Sequence, residues 1–156
     1  MVNTPRIHFE SAKARWWGKP LVRAGDRALP AELAVLALQL APGERGTWLN
    51  SRGTSSGVVD IVPDTASASG FRTRRVPLPP FVTATLRLLY RHSRLAKGCP
   101  DLVIWSANAM RLVEVKCPHW DAPSIEQERF MRTATRQGVA TTVVEWEFAN
   151  GGKGVS

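Results

Sequence analysis

Apolar residues recur along this chain with two different periods, and the changes between them predict its elements. Residues 33–41, LAVLALQLA, follow Pro30-Ala31-Glu32 and precede Pro42-Gly43. Proline and an acid suit a first helical turn and Pro-Gly ends one, so this is a helix, and its nearly uniform apolarity predicts burial. Phe81 to Leu95 reads as a second helix, with Val82, Leu86 and Leu89 on the inward stripe. Leu102–Ser106 and Arg111–Lys116 are short runs rich in Leu, Val and Ile around turn residues, which predicts a β-hairpin. If Ala107-Asn108 is the loop, opposed residues have numbers summing to 215. Asp101 then lies across from Glu114, and alternation puts Glu114 and Lys116 on one face, Val113 and Val115 on the other. Ile125 to Gln137 is a third helix, with Phe130, Met131 and Ala134 inward and Gly138 as its stop. The β-branched run Val139 to Trp146 follows, so hairpin, helix and strand form a crossover onto one sheet.

Elsewhere the pattern is weaker. Pro5 to Trp17 reads as the start of a helix, with Glu10 in its first turn. From about 45 to 80 the Gly, Ser, Thr and Pro content predicts a mobile loop, broken by a short strand at Val58–Val62. Arg72, Arg74 and Arg75 at its end either grip phosphates or are simply solvated. Asn150 to Ser156 is a Gly-rich tail, and no internal repeat is present. The elements describe one α/β domain over residues 1–156.

Composition narrows the partners. The chain has 156 residues, 44% of them hydrophobic, with no apolar run long enough to span a bilayer, so a soluble domain is expected. Its formal charge of +8 is spread along the chain, 11 of the 21 Lys and Arg lying before residue 81 and 10 after. A distributed positive charge on a folded domain favours a polyanion, with nucleic acid ahead of a membrane. Arg87, Arg91 and Arg94 repeat along the second helix beside its buried stripe, with Lys97 following. Like charges so spaced repel, which is relieved when the stripe faces a DNA backbone, although solvated basic faces are common. Two cysteines, Cys99 and Cys117, bracket the hairpin; without a signal peptide they are expected to be reduced, in a cytoplasmic protein, and scattered histidines argue against zinc.

The chemistry concentrates between Gly98 and Gln127. Two carboxylates opposed across strands repel, so Asp101 and Glu114 call for a cation between them, and hard oxygen ligands favour Mg²⁺ or Mn²⁺. Such an ion leaves positions for water and for phosphate oxygens, and Lys116 beside it would orient or deprotonate the attacking water. Taken singly, each of these acids is ordinarily a solvated surface group. Ser124-x-x-Gln127 is a capping box opening the third helix. Trp120 either stacks on a nucleobase or packs on the sheet.

Gly-x-Pro-Asp-Leu, a hydrophobic hairpin, Glu-Val-Lys-x-Pro and Ser-x-x-Gln occur here in that order, from Gly98 to Gln127. Together they resemble the PD-(D/E)XK nuclease superfamily and, within it, the VRR-NUC branch, most nearly the C-terminal domain of the Fanconi-associated nucleases. The similarity is best over residues 81–148. It implies a restriction-endonuclease-like core, a central mixed sheet flanked by helices, with residues 45–80 as an insert. It further implies a Mg²⁺- or Mn²⁺-dependent DNA nuclease of repair or recombination type acting on structured or branched DNA, in some relatives as a dimer. The metal set it implies is Asp101, Glu114, Val115 and Glu10, with Glu32 as the alternative to Glu10, and with Lys116 and Gln127 completing the catalytic group. DNA would contact Arg72, Arg74, Arg75, Arg87, Arg91, Arg94, Lys97 and Trp120. The family pattern has glycine where Cys117 stands and smaller residues at His119-Trp120, which keeps a catalytically silent nucleic-acid-binding domain open. A nuclease toxin domain with an acidic immunity partner is a third reading.

Overall fold

A computed structural model describes residues 6–49 and 53–149. Ten strands and three helices follow in order: β1 (Ile7–Phe9), β2 (Ser11–Trp16), β3 (Lys19–Ala24), β4 (Arg27–Leu29), α1 (Ala31–Gln39), β5 (Arg45–Trp48), β6 (Ser56–Pro63), β7 (Phe71–Pro77), α2 (Pro80–Ser93), β8 (Leu102–Trp105), β9 (Met110–Lys116), α3 (Ile125–Arg136) and β10 (Ala140–Phe148). Seven strands make a mixed sheet in the order β1-β10-β9-β8-β5-β6-β7, and β2-β3-β4 form a separate antiparallel sheet. This is the expected central mixed sheet flanked by helices.

The chain alternation anticipated for the hairpin is what divides the molecule into layers. Leu102↔Val113, Val103↔Leu112, Ile104↔Arg111 and Trp105↔Met110 are the paired residues, each pair summing to 215. Leu102, Ile104, Val113, Val115 and Cys117 face one core, shared with α1 and the small sheet. Val103, Trp105 and Leu112 face the other, filled by Val82, Leu86 and Leu89 of α2 and by Phe130 and Ala134 of α3. These α2 residues are fully buried, and each contributes roughly 1.5–3 kcal/mol by leaving water. The last strand joins β9 in parallel, Ala140↔Arg111 through Glu145↔Lys116, so β9, α3 and β10 are the expected crossover unit.

Two expectations are corrected. The segment from Pro5 to Trp17 is not a helix start: its described part forms β1, parallel to β10, and β2. Ala12, Ala14 and Trp16 pack inward while Lys13 and Arg15 point outward, a two-residue period helped by a bulge between Ser11 and Arg15. Residues 45–80 are likewise mostly strand, β5, β6 and β7, and the anticipated Val58–Val62 lies inside β6. β5 and β6 approach closely because Gly57 has no side chain: a Cβ there would sit 2.1 Å from Thr47 Oγ1. Helix α2 ends at Ser93, with Arg94 in the left-handed conformation as its cap. The Gly-rich tail lies outside the described residues.

Candidate active site

In the crossover unit, the C-terminal end of parallel strand β9 and the N-terminus of α3 meet in one crevice, the position where α/β sheets usually take ligands. Three segments bring their side chains to it. Asp101 ends the loop from α2; its backbone oxygen accepts from Leu49 N at 2.7 Å, and its Oδ2 accepts from Val115 N at 2.9 Å. The carboxylate thus takes the place of the next rung of the β8–β9 ladder. Gly98, at φ +117°, lets this loop lie against α3, since a Cβ there would meet the Glu126 carbonyl oxygen at 2.9 Å.

Glu114 and Lys116 occupy the same face at the end of β9, as alternation requires. Glu114 is wholly buried, and neither carboxylate oxygen has a hydrogen-bond partner. Desolvation, and then the adjacent Asp101, push its carboxyl well above the usual range, with Lys116 acting in the opposite sense. Lys116 Nζ donates to Gln127 Oε1 at 3.1 Å and lies 3.3 Å from Asp121 Oδ1. The capping box is formed: Gln127 N donates to Ser124 Oγ at 3.1 Å, and Ser124 N to Gln127 Oε1 at 2.9 Å. One amide oxygen therefore caps α3 and holds the lysine, so the two readings of Gln127 are compatible.

The two candidate outer glutamates part company. Glu10 sits exposed between β1 and β2, with no side-chain hydrogen bond or ion pair among the described residues. Glu32, in the first turn of α1, is buried. One oxygen accepts from Lys19 Nζ at 2.9 Å and the other is unpartnered. Burial raises its carboxyl pKa and Asp101 adds to the rise, while Lys19 opposes it. It is Glu32 that senses the Asp101 charge. Val115 points to the opposite face from Glu114.

Of the anticipated DNA contacts, Lys97 lines a pocket of about 350 Å³ with Gly98, Asp101, Ser124 and Gln127, directly at the site. Arg87, Arg91 and Arg94 are exposed along and just beyond α2, which leads into that loop. Arg72, Arg74 and Arg75 are not in a loop beside the site. They lie exposed on β7, four strands from β9, roughly 20 Å away at ordinary strand spacing. Arg75 donates to Ser56 Oγ, and charge on an exposed edge strand is reason enough for them, since it discourages pairing with other sheets. Trp120 is 52% exposed and rests edge-on or tilted against Trp146 and Phe148, half packing and half presented to solvent.

Several contributors have no signal in the sequence pattern. Asp121 faces Lys116 only because the loop after β9 turns back, Trp120 N donating to Cys117 O. His119 Nε2 and His8 Nε2 lie 2.9 and 2.7 Å from the two oxygens of Glu147, and Arg6 pairs with the same carboxylate. These partners hold the Glu147 carboxyl down at about 2 and tie the loop to β1 and β10. Cys99 and Cys117 are free thiols on opposite faces of the sheet. Burial pushes Cys99 upward, with Glu114 and Asp101 adding to it, so it sits at the site as an inert thiol.

Among the described residues, no three His, Cys, Asp or Glu side chains form a group placed to hold a metal by themselves. The donor set nevertheless fits a hard cation. Glu114 offers two buried oxygens with nothing to bond, Asp101 lies next to it, and Mg²⁺ commonly needs only one or two protein carboxylates.

The site thus joins the buried Glu114, the half-buried Asp101 and the oriented Lys116 at the end of a parallel strand in a mixed sheet. The chain belongs to the VRR-NUC domain family, whose sequence profile matches residues 48–146; it is a nuclease-family domain. No curated protein sequence matches it. A crystal structure of paFAN1 bound to a 5′-flap DNA with a 2-nt flap and a gap is similar at 23% identity with a TM-score of 0.36. The similarity covers 42% of this chain and 13% of that one, so this chain spans a small fraction of the paFAN1 length.

Proposed function

We propose that the protein is a Mg²⁺- or Mn²⁺-dependent nuclease that hydrolyses phosphodiester bonds in DNA, structured or branched DNA above all. One observation carries this reading: Glu114, buried beside Asp101 with both carboxylate oxygens unpartnered. Holding Glu114 as an unpaired buried carboxylate costs more than the about 1–3 kcal/mol of a neutral unpaired polar group, and a cation held by Asp101 and Glu114, with Glu32 in support, offsets that cost. When bound, the ion supplies Lewis acidity at the phosphoryl oxygen.

The chain's own residues do the rest. Gln127 and Asp121 fix the Lys116 ammonium at the mouth of the site. There its third N–H donates to the phosphoryl oxygen on which charge builds. Asp121, exposed beside it, is placed to receive the water's proton as the new P–O bond forms, and the departing sugar oxygen takes its proton from solvent. Lys97 and the exposed arginines of α2 hold the flanking phosphates.

The test is to incubate purified protein with duplex, 5′-flap and four-way-junction DNA with and without Mn²⁺. Cleavage only with metal, fastest on a branched substrate, is expected. Tight binding with no cleavage under any metal would establish the silent DNA-binding domain instead, the reading that Cys117 and Trp120 keep open.

A further inference from the structure

Next to the site, joined to it through Asp121 beside Lys116, lies a second cleft of about 190 Å³ lined also by Glu32. Lys19 and Pro20 of β3 form one side, Trp120 and Asp121 of the loop after β9 the other, and Trp146 lies among its lining residues. Three of its features bear on what it holds. Trp120 is half exposed although its aromatic neighbours Trp146 and Phe148 are buried, and it stacks in parallel on neither ring. Glu32, nine-tenths buried, keeps one oxygen without a donor. Lys19 and Pro20 come from the small β2-β3-β4 sheet, which lies wholly before the family match begins at residue 48.

That sheet is suited to a nucleic-acid strand. Between residues 11 and 29 it has five Lys or Arg against one acid, Asp26. Lys13, Arg15 and Arg23 are exposed, and Trp17, 73% exposed, stands at the β2–β3 turn. Aromatic rings interleaved with cations are how proteins hold unpaired nucleotides, because every base has a face to stack and every phosphate a charge to meet.

We propose that this cleft takes one unpaired nucleobase of the strand being cut, its face on Trp120 and an acceptor of its edge taking a hydrogen bond from the Lys19 ammonium, which lines the cleft. The proposal rests on the nuclease reading and deepens it. Asp121 lines the cleft and lies 3.3 Å from Lys116 Nζ, so the captured base belongs to a nucleotide close to the scissile phosphate. A base inside an intact duplex is covered on both faces and cannot enter without being flipped out, which costs unstacking. The cleft thus selects flaps, gaps and frayed ends over continuous duplex.

The experiment places 2-aminopurine singly at positions flanking the cut, in a flapped DNA and a fully paired duplex of the same sequence. Both are bound in EDTA, so that nothing is cut. Wild-type protein is expected to quench one position of the flapped DNA. Trp120→Leu, which keeps apolar bulk against Trp146 and Phe148, is expected to lose that quench and to bind flapped DNA about tenfold more weakly or worse. Its affinity for paired duplex should stay within about twofold, the change expected when the phosphate-binding cations are untouched. Trp120→Phe should restore part of the quench, and stands alone as the test if the leucine variant melts early by circular dichroism. Equal quenching in wild type and both variants, or equal loss of affinity on both DNAs, overturns the proposal. So does a concentration-dependent dimer, seen by sedimentation, that Trp120→Leu dissociates, for the cleft would then seat a second copy. If wild type cuts no DNA with Mn²⁺, it is the nuclease reading that falls; if it cuts and Trp120→Leu treats both DNAs as wild type does, only the cleft falls.

Discussion

The two ends of strand β9 hold ionisable groups in opposite conditions. At its start, Arg111 Nε donates to Glu44 Oε2 at 3.1 Å and one terminal nitrogen donates to Glu44 Oε1 at 2.8 Å and to Gln39 O at 2.7 Å. That is a forked pair with its donors used, and it pulls the Glu44 carboxyl below its ordinary range. Nearer the other end, Glu114 is more deeply buried and has no partner for either oxygen. The same strand can therefore satisfy a charge completely, and the failure to do so at Glu114 is local. A satisfied pair contributes to the fold; an unsatisfied buried group calls for a further partner.

The largest effect that would break this contrast is chemical. Asp101→Ala or Glu114→Ala should reduce DNA cleavage below detection, and EDTA should do the same to wild type, because either change leaves too few anionic oxygens for the ion. Full cleavage by either variant would show that the unsatisfied end has no catalytic purpose. In the same proteins, the wild-type melting temperature should rise on adding Mn²⁺ while that of Glu114→Ala stays put.

Next in size is Lys116→Ala, expected to slow cleavage by about 10²-fold or more at saturating DNA. Its DNA affinity should barely move, since it is one of 21 basic residues. Lys116→Arg should also be slow, because a planar guanidinium cannot replace an ammonium between Gln127 and Asp121. A variant that bound DNA more weakly and kept its rate would make Lys116 a phosphate-binding residue only.

Stability should then separate the two ends in sign. Arg111→Ala should lose about 1.5–3 kcal/mol, the usual cost of removing a hydrogen-bonded charge. Metal-free Glu114→Gln, isosteric with the protonated carboxyl that burial favours, should lose nothing at neutral pH and gain stability relative to wild type as pH rises towards the Glu114 pKa of about 10. The pH dependences oppose each other as well. Glu114's folded pKa is raised, so its favourable contribution is complete below the ordinary carboxyl value of 4.5 and is lost as pH climbs above it. Glu44's is depressed, so its contribution is present above 4.5 and lost as pH falls through its folded value. Melting curves of metal-free protein from acid to alkaline pH should lose their alkaline slope in Glu114→Gln and their acid slope in Glu44→Gln; a slope that survives its own substitution assigns that titration elsewhere.

The smallest effect lies away from both ends. Replacing Arg87, Arg91 and Arg94 by Gln should weaken binding to every DNA sequence alike. It should also flatten the slope of log affinity against log salt by about 0.9 for each phosphate that is no longer neutralised. An unchanged slope would leave the stripe to solvent.

What the sequence determined by itself was whatever depends on near neighbours. The register of the β8–β9 hairpin follows from a two-residue period and a short turn, and it placed Asp101 opposite Glu114 on the face shared with Lys116. The buried stripes of α2 and α3 and the Ser124–Gln127 cap are equally local. Residues 45–77 were unreadable because β5 to β7 are short, rich in Gly or Arg, and become strands only by pairing, Gly57 beneath Thr47 being the close approach that allows it. Nothing in spacing sets Lys19 beside Glu32, Asp121 beside Lys116, or His8 and His119 on one Glu147. The choice of Glu32 over Glu10 as neighbour of the acid pair was of the same kind. It depended on where α1 packs against the sheet, while Glu10 was carried to the surface by strands that the local pattern had read as helix. Tertiary packing decided these pairings because each joins segments whose separation along the chain carries no period, and only the shared burial of their apolar neighbours brings them together.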